Sequence, residues 1–458
     1  MKKCLLILFA FVCLVGWSAA AQVPPSRHVW VIAEENHSFE DAAASMPYLM
    51  SLGGQYGIAT QYYADMHNSI SALMHLTAGA TVTTDDSTPD TFKVDNIVRH
   101  LAQKGLTFRS YQEQLPQPGF LGLWSGPYVK RHNPLAYFSE VANSNLRFNL
   151  VPLPQLASDL AHHFAANYNY VTPDLNHDAH DGSLQTADEW LQHYLPPILA
   201  QPEFQTGGDG LLFITFDEGN LGDVDFRCNA GTTAHNCGGR VLTVVVGPNV
   251  KRGFQSSAFY NHESLLATVC HALGTDGCPG KADHARPMDD FFIAPLSASP
   301  ATATVASGEP AQYSLALQPV SGFFNADVRF SCGNLPAGAE CYFSPRTVRP
   351  GDSGASTTLT VSLAPQSAAM RPVSRPALPF ALWLGLPGLA LIPAGNRKRK
   401  LLLALLSVAA AFLVCVGCGG GPSPALAHSS WARSYTINVT AQSSSASYSV
   451  PVTLHVTR

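Results

Sequence analysis

Charge is scarce in this 458-residue chain: Asp, Glu, Lys and Arg make up 13% of it, against 46% hydrophobic residues. So apolar a composition excludes a disordered chain and predicts a large buried core together with membrane segments. Positive charge is the rarer sign. With 27 Lys and Arg against 32 Asp and Glu, the net charge of −5 carries no electrostatic footprint for nucleic acid. Two-residue zinc-knuckle spacing is absent from the three local cysteine pairs, Cys228 with Cys237, Cys270 with Cys278 and Cys332 with Cys341. In an exported chain such near neighbours favour disulfides over zinc. The other four of the ten cysteines lie in the leader (Cys4, Cys13) or at the end of an apolar stretch (Cys415, Cys418).

Export is predicted by the first 21 residues. Lys2 and Lys3 precede an apolar run over 5–15, and Ala19-Ala20-Ala21 offers a small-residue cleavage site. Residues 22–293 then alternate apolar strands with amphipathic helices, the pattern of an α/β domain with a mostly parallel sheet and helices on both faces. Strands are predicted at 29–33, 58–63, 107–111, 168–171, 211–216 and 241–246. Helices are predicted near 47–55, 69–77, 92–104, 153–164, 184–199 and 262–273. The long aromatic loop at 116–149 reads as a substrate-side insertion. From 295 to 366 the residues alternate with period 2, as in a small Ig-like β-sandwich. Residues 377–418 hold two apolar stretches around the basic turn Arg397-Lys398-Arg399-Lys400, which predicts a transmembrane hairpin with its turn in the cytoplasm. Residues 430–458 would supply the last strands of the sandwich. The protein is thus expected outside the cytoplasm and anchored to a membrane.

The chemistry concentrates at strand ends. The run 29–33 leads into Glu34-Glu35-Asn36, and the run 211–216 leads into Asp217-Glu218-Gly219. A third strand, 168–171, precedes Asp174, His177, Asp178, His180 and Asp181, and a helix opens at Asn261-His262. Open α/β sheets bind ligands beyond the carboxyl ends of their strands, so these groups should share a cleft. Carboxylates gathered with imidazoles call for a divalent metal, because like charges cannot all ionise together otherwise. Taken singly, Glu35-Asn36 could equally cap the next helix, and Ser69 could be an N-cap.

In order along the chain, Glu35-Asn36-His37-Ser38-Phe39, Pro47-Tyr48-Leu49, His67-Asn68-Ser69, the segment 173–181, Asp188 with Trp190-Leu191, Phe216-Asp217-Glu218-Gly219, Gly247-Pro248 and Asn261-His262 resemble the phosphoesterase family. That family contains bacterial acid phosphatases and phospholipases C and is related to alkaline phosphatase. His37, where many phospholipases carry Arg, makes the chain more similar to the acid phosphatase branch. The resemblance implies metal ligation by Glu35, Asn36, Asp217 and Glu218 and a nucleophilic Ser69 that passes through a phosphoseryl intermediate. It further implies that His180, His262 and Asp178 hold phosphate, protonate the leaving oxygen or bind a second ion. One departure stands out: Ala72 occupies the place where the family carries an Asn three residues after the nucleophile, with Asn68 or His75 as stand-ins. Two other functions stay open, a phospholipase C acting on lipid headgroups and a catalytically silent metal-binding surface protein.

Overall fold

The computed structural model describes residues 23–220, 238–363 and 433–457. The expected leader, the Cys228–Cys237 pair and the membrane hairpin at 377–418 lie outside the described residues. Among the described residues no helix is long and apolar enough to cross a membrane. Disulfides join Cys270 to Cys278 and Cys332 to Cys341.

The first part of the chain builds an eight-stranded sheet. Its strands are β1 (Val29–Glu34), β2 (Gly57–Ala59), β3 (Phe108–Gln112), β4 (Leu150–Pro152), β5 (Tyr168–Thr172), β6 (Leu211–Phe216), β7 (Thr243–Val246) and β8 (Phe254–Ser256). They lie in the order β8-β2-β7-β6-β1-β5-β3-β4. β7 pairs antiparallel with β2 and β6, and the remaining pairings are parallel. β1, β5 and β6 are buried along their whole length, as expected of continuous apolar runs in the middle of a sheet covered on both faces. Each Val or Ile buried there contributes about 1.5–3 kcal/mol relative to an exposed side chain.

Helices flank the sheet on both sides. On one face lie α1 (Phe39–Ser45), α2 (Pro47–Gln55), α5 (Gln155–Ala161) and α6 (Leu184–Leu199); on the other α3 (Ser69–Ala78) packs against α7 (His262–Leu273). The carboxylate of Asp188 in α6 accepts from the amides of Tyr48 (2.8 Å) and Leu49 (2.9 Å), so it caps the first turn of α2. α4 spans Ile97–Gln103, shorter than the predicted 92–104. The Asn96 side chain accepts from Arg99 N–H and fixes the start, while Phe92 exchanges backbone hydrogen bonds with Tyr137 and Ser139. The predicted helix at 153–164 is likewise confined to 155–161, and the predicted strand at 58–63 divides into 57–59 and 62–63.

The aromatic insertion at 116–149 divides its residues between the core and the strand ends, where His132 reaches Glu35. Tyr128, Tyr137 and Phe138 are buried in the main core, while Trp124 and Phe148 stand exposed. The apolar surface of those rings is used for packing, and the segment's polar residues are the part that faces the sheet ends.

A second apolar core begins at Leu296. A four-stranded sheet contributes Tyr313, Leu315, Leu359 and Val361, and a five-stranded sheet contributes Ile437, Val439, Val450, Val452 and Leu454. The strands Arg433–Gln442 and Ser447–Thr457 pair with Val328–Gly333 and Thr302–Ala306, so the end of the chain completes a sheet begun some 130 residues earlier.

Candidate active site

Three strand ends and one helix start meet above the sheet. Glu35 follows β1, Asp217 follows β6, Asp178 follows β5, and Ser69 opens α3. The register places Ala33 beside Thr215 and Glu34 beside Phe216, so Glu35 and Asp217 come level on the same face. Ser69 Oγ donates to Glu35 Oε2 at 2.9 Å. Asp217 Oδ1 accepts from the amides of Asn36 (3.1 Å) and Glu218 (2.6 Å). Asn36 has the left-handed backbone (φ 54°) that turns the chain back over the strand end.

His132 completes the group, and nothing in the sequence had singled it out. Its Nδ1 lies 2.8 Å from Asp178 Oδ2 and its Nε2 3.2 Å from Glu35 Oε1. It comes from the loop between β3 and β4, where the one available signal is the polar string Lys130-Arg131-His132-Asn133 inside an otherwise aromatic segment. The His180 ring sits 5.5 Å from the His132 ring, and Arg131 Nη2 approaches His180 Nε2 at 3.3 Å. Glu35, His132 and His180 each hold a ligand atom within 4.8 Å of the others.

Other predicted site residues stand elsewhere. Glu218 Oε2 is held by His67 Nδ1 (2.7 Å) and the Asn68 amide (3.0 Å), so it fixes the approach to α3. Both ring nitrogens of His262 are engaged, Nε2 with the Asp217 carbonyl (2.5 Å) and Nδ1 with Tyr62 Oη (2.9 Å). That imidazole braces the Asp217 loop and leaves no ring nitrogen for phosphate. His177 pairs with Glu113 and Asp174, away from Ser69. His75, offered as a stand-in for the missing Asn, is turned to Glu263 and Thr81. Asn68 directs its side chain to Asp86, and Ala72 is fully buried.

The electrostatics of the group follow from its burial. Burial pushes the Glu35 carboxyl well above the usual carboxylate range, and the charges of Asp217 and Asp178 push it the same way. Asp217 is raised well above it too, by burial and then by Glu218. Asp178 is raised to about 7, chiefly by burial. Burial holds His132 well below the usual imidazole range, with Arg131 and His180 adding to the effect. Glu35 Oε1, Asp217 Oδ2 and His132 Nε2 are buried atoms without a hydrogen-bond partner. Glu35 Oε1 and His132 Nε2 lie 3.2 Å apart with His180 close by, and a divalent ion there would satisfy lone pairs that protein donors leave open. Asp178 on the far nitrogen of His132 fixes the ring's orientation, as a carboxylate behind a metal-binding imidazole would.

The fold and this site define a class, and the comparisons with known proteins agree with it. The chain belongs to the phosphoesterase family, whose model matches residues 42–274. It is 29% identical over 259 residues to a probable acid phosphatase of Kluyveromyces lactis, covering 53% of this chain and 57% of that protein. It is also 29% identical over 253 residues to a phosphate-repressible acid phosphatase of Penicillium chrysogenum, again covering 53% and 57%. A phosphatidylinositol-3-phosphatase of Mycobacterium tuberculosis is 27% identical over 279 residues, 60% of this chain and 85% of that protein. The match thus spans little more than half the length of the acid phosphatases. Among solved structures, an alkaline phosphatase superfamily protein from Vibrio parahaemolyticus aligns with 74% of this chain and 80% of its own at 12% identity. Its TM-score is 0.40.

Proposed function

We propose that the chain is a divalent-metal-dependent hydrolase of phosphoric esters, an acid phosphatase-like phosphomonoesterase in which Ser69 is the nucleophile. The observation that carries the reading is the 2.9 Å contact of Ser69 Oγ with Glu35, at the N-terminus of α3 and beside the buried pair Glu35–Asp217. Glu35, Asp217, His132 and His180 would hold the ion, which would supply Lewis-acid stabilisation of developing charge. Ser69 gives its proton to Glu35 as Oγ forms the bond to phosphorus and the ester oxygen leaves with the phosphorus–oxygen electron pair. The positive end of the α3 dipole faces the phosphoryl oxygens, while the amides of Ile70, Ser71 and Ala72 are engaged by Asp86 and Asn68. Arg131, 3.3 Å from His180, offers positive charge to the phosphoryl group where the family's Asn is absent at Ala72, and Asp178 orients the His132 ring through its Nδ1. Water then releases phosphate from Ser69.

The test is a Ser69→Ala variant assayed on mono- and diesters, with an acid quench to trap phosphoserine in the parent. Parent turnover that survives Ser69→Ala removes the nucleophile assignment; absence of any hydrolysis by metal-loaded parent removes the reading itself. A second reading is favoured by one observation: Trp124, 69% exposed, stands on the loop that carries His132, as a side chain entering a bilayer surface would. The substrate would then be a phosphorylated lipid headgroup, and diacylglycerol release would mark a phospholipase C. We further propose export and anchoring through residues 377–418; washing membranes with high salt should leave the protein bound.

A further inference from the structure

Glu34 and Glu35 are adjacent in sequence and serve opposite faces of the sheet. Ile32, Val171 and Tyr111 are level across β1, β5 and β3, which brings Glu34, Pro173 and Glu113 level two residues on. That face is the one where Trp30 stacks on Tyr111 (6.0 Å) and where Trp190 of α6 donates to Glu113 Oε2 (3.0 Å). Glu34 is completely buried, and neither of its carboxylate oxygens has a hydrogen-bond partner. The charges that act on it are those of Asp178, Glu113 and Asp188, all carboxylates. Beside them Glu113, Asp174 and His177 hold ligand atoms within 4.8 Å of one another. His177 Nδ1 lies 3.1 Å from both carboxylates, and its ring, 36% exposed, opens the cluster to solvent.

We propose that this back-face cluster is a second divalent-cation site, with Glu113, Asp174 and His177 as ligands and Glu34 as the buried carboxylate that closes it from below. Two or three carboxylates with one imidazole suit Zn²⁺ or Mn²⁺. The site lies across β1 from Ser69, so it serves the fold: it ties the ends of β1, β3 and β5 to α6, and Asp174 and His177 begin the loop that delivers Asp178 and His180. It does not depend on the chain being a hydrolase.

The experiment uses the full chain, stripped with chelator, reloaded with Zn²⁺ or Mn²⁺, and analysed for metal content and thermal midpoint. Asp217→Asn removes the ion beside Ser69 and should leave about one equivalent that still raises the midpoint. Adding His177→Ala should weaken that remaining binding by at least about tenfold. His177 is partly exposed, so this variant folds even where Glu113→Gln does not. Loss of all metal in Asp217→Asn alone would overturn the proposal. So would a remaining equivalent indifferent to His177→Ala, or a Glu34→Gln variant that is more stable with unchanged metal content, which would make Glu34 a buried acid and nothing more. Failure of the hydrolase reading appears in turnover and leaves these counts untouched.

Discussion

Replacing Asp217 by Asn separates the two things its carboxylate does. Its Oδ1 accepts from the amides of Asn36 and Glu218, and an amide oxygen can keep both bonds. Its Oδ2 is buried, Asp217 is 0% exposed, and its charge pushes the neighbouring Glu35 carboxyl up. The variant should therefore fold like the parent, lose a metal ligand and lose the repulsion. At a metal concentration about 100 times Kd, binding stabilises the parent by RT ln 101, about 2.7 kcal/mol. A variant that binds about 100-fold more weakly keeps RT ln 2, about 0.4 kcal/mol. The difference of about 2.3 kcal/mol corresponds to about 5–9 °C for a domain of this size. Thermal melts with chelator and with added Mn²⁺ or Zn²⁺ measure it.

The same variant has a pH limb. Asp217, Glu35 and Asp178 are raised in the folded protein, so between about pH 4 and 7 the native state holds protons that the unfolded chain has released. Stability of the metal-free parent should therefore fall as pH rises through that window, and Asp217→Asn should fall less steeply. An Asp217→Asn protein with the parent's metal-dependent shift and the parent's pH slope would refute the reasoning, because it would mean that Asp217 neither binds the ion nor feels its neighbours.

His132→Gln should lower metal affinity and kcat/KM by about 10–100-fold with little change in fold, read by metal titration and initial rates. Lys130 is 1% exposed, donates to the Pro89 carbonyl (3.3 Å) and lies over the Tyr137 ring; burial lowers it to about 8. Between pH 8 and its unfolded value the unfolded chain binds the extra proton, so stability should rise with pH there, and Lys130→Met should gain about 1–3 kcal/mol at pH 7 and nothing above pH 11. Chemical denaturation at the two pH values checks both signs. Ala72→Asn puts an amide into a helix buried on all sides and should cost about 1–3 kcal/mol without raising turnover, measured by melting and by the rate on a monoester.

Much of the α/β order was readable because central parallel strands are largely apolar runs, as in Val29–Glu34 and Leu211–Phe216, while Tyr168–Thr172 carries Asn169 within it. Helix ends were less legible. Asn96 caps α4 through one side-chain bond, and Asp188, about 140 residues away, caps α2 through two. Glu35, Asp217, Asp178 and Ser69 were legible as polar residues at strand and helix ends, and the fold does bring them together. His132 was not, since no local pattern tells which histidine of a long loop will reach a strand end.

Period 2 along a strand requires that Glu34 and Glu35 point to opposite faces, and that much the sequence by itself determined. What waits on each face only the tertiary structure decided. Glu35 meets Ser69, Asp217 and His132, while Glu34 looks toward Glu113 and Asp188. The reason is physical: the strand fixes directions through its own backbone, but the partners arrive through sheet register and loops whose contacts are set by the packing of distant segments.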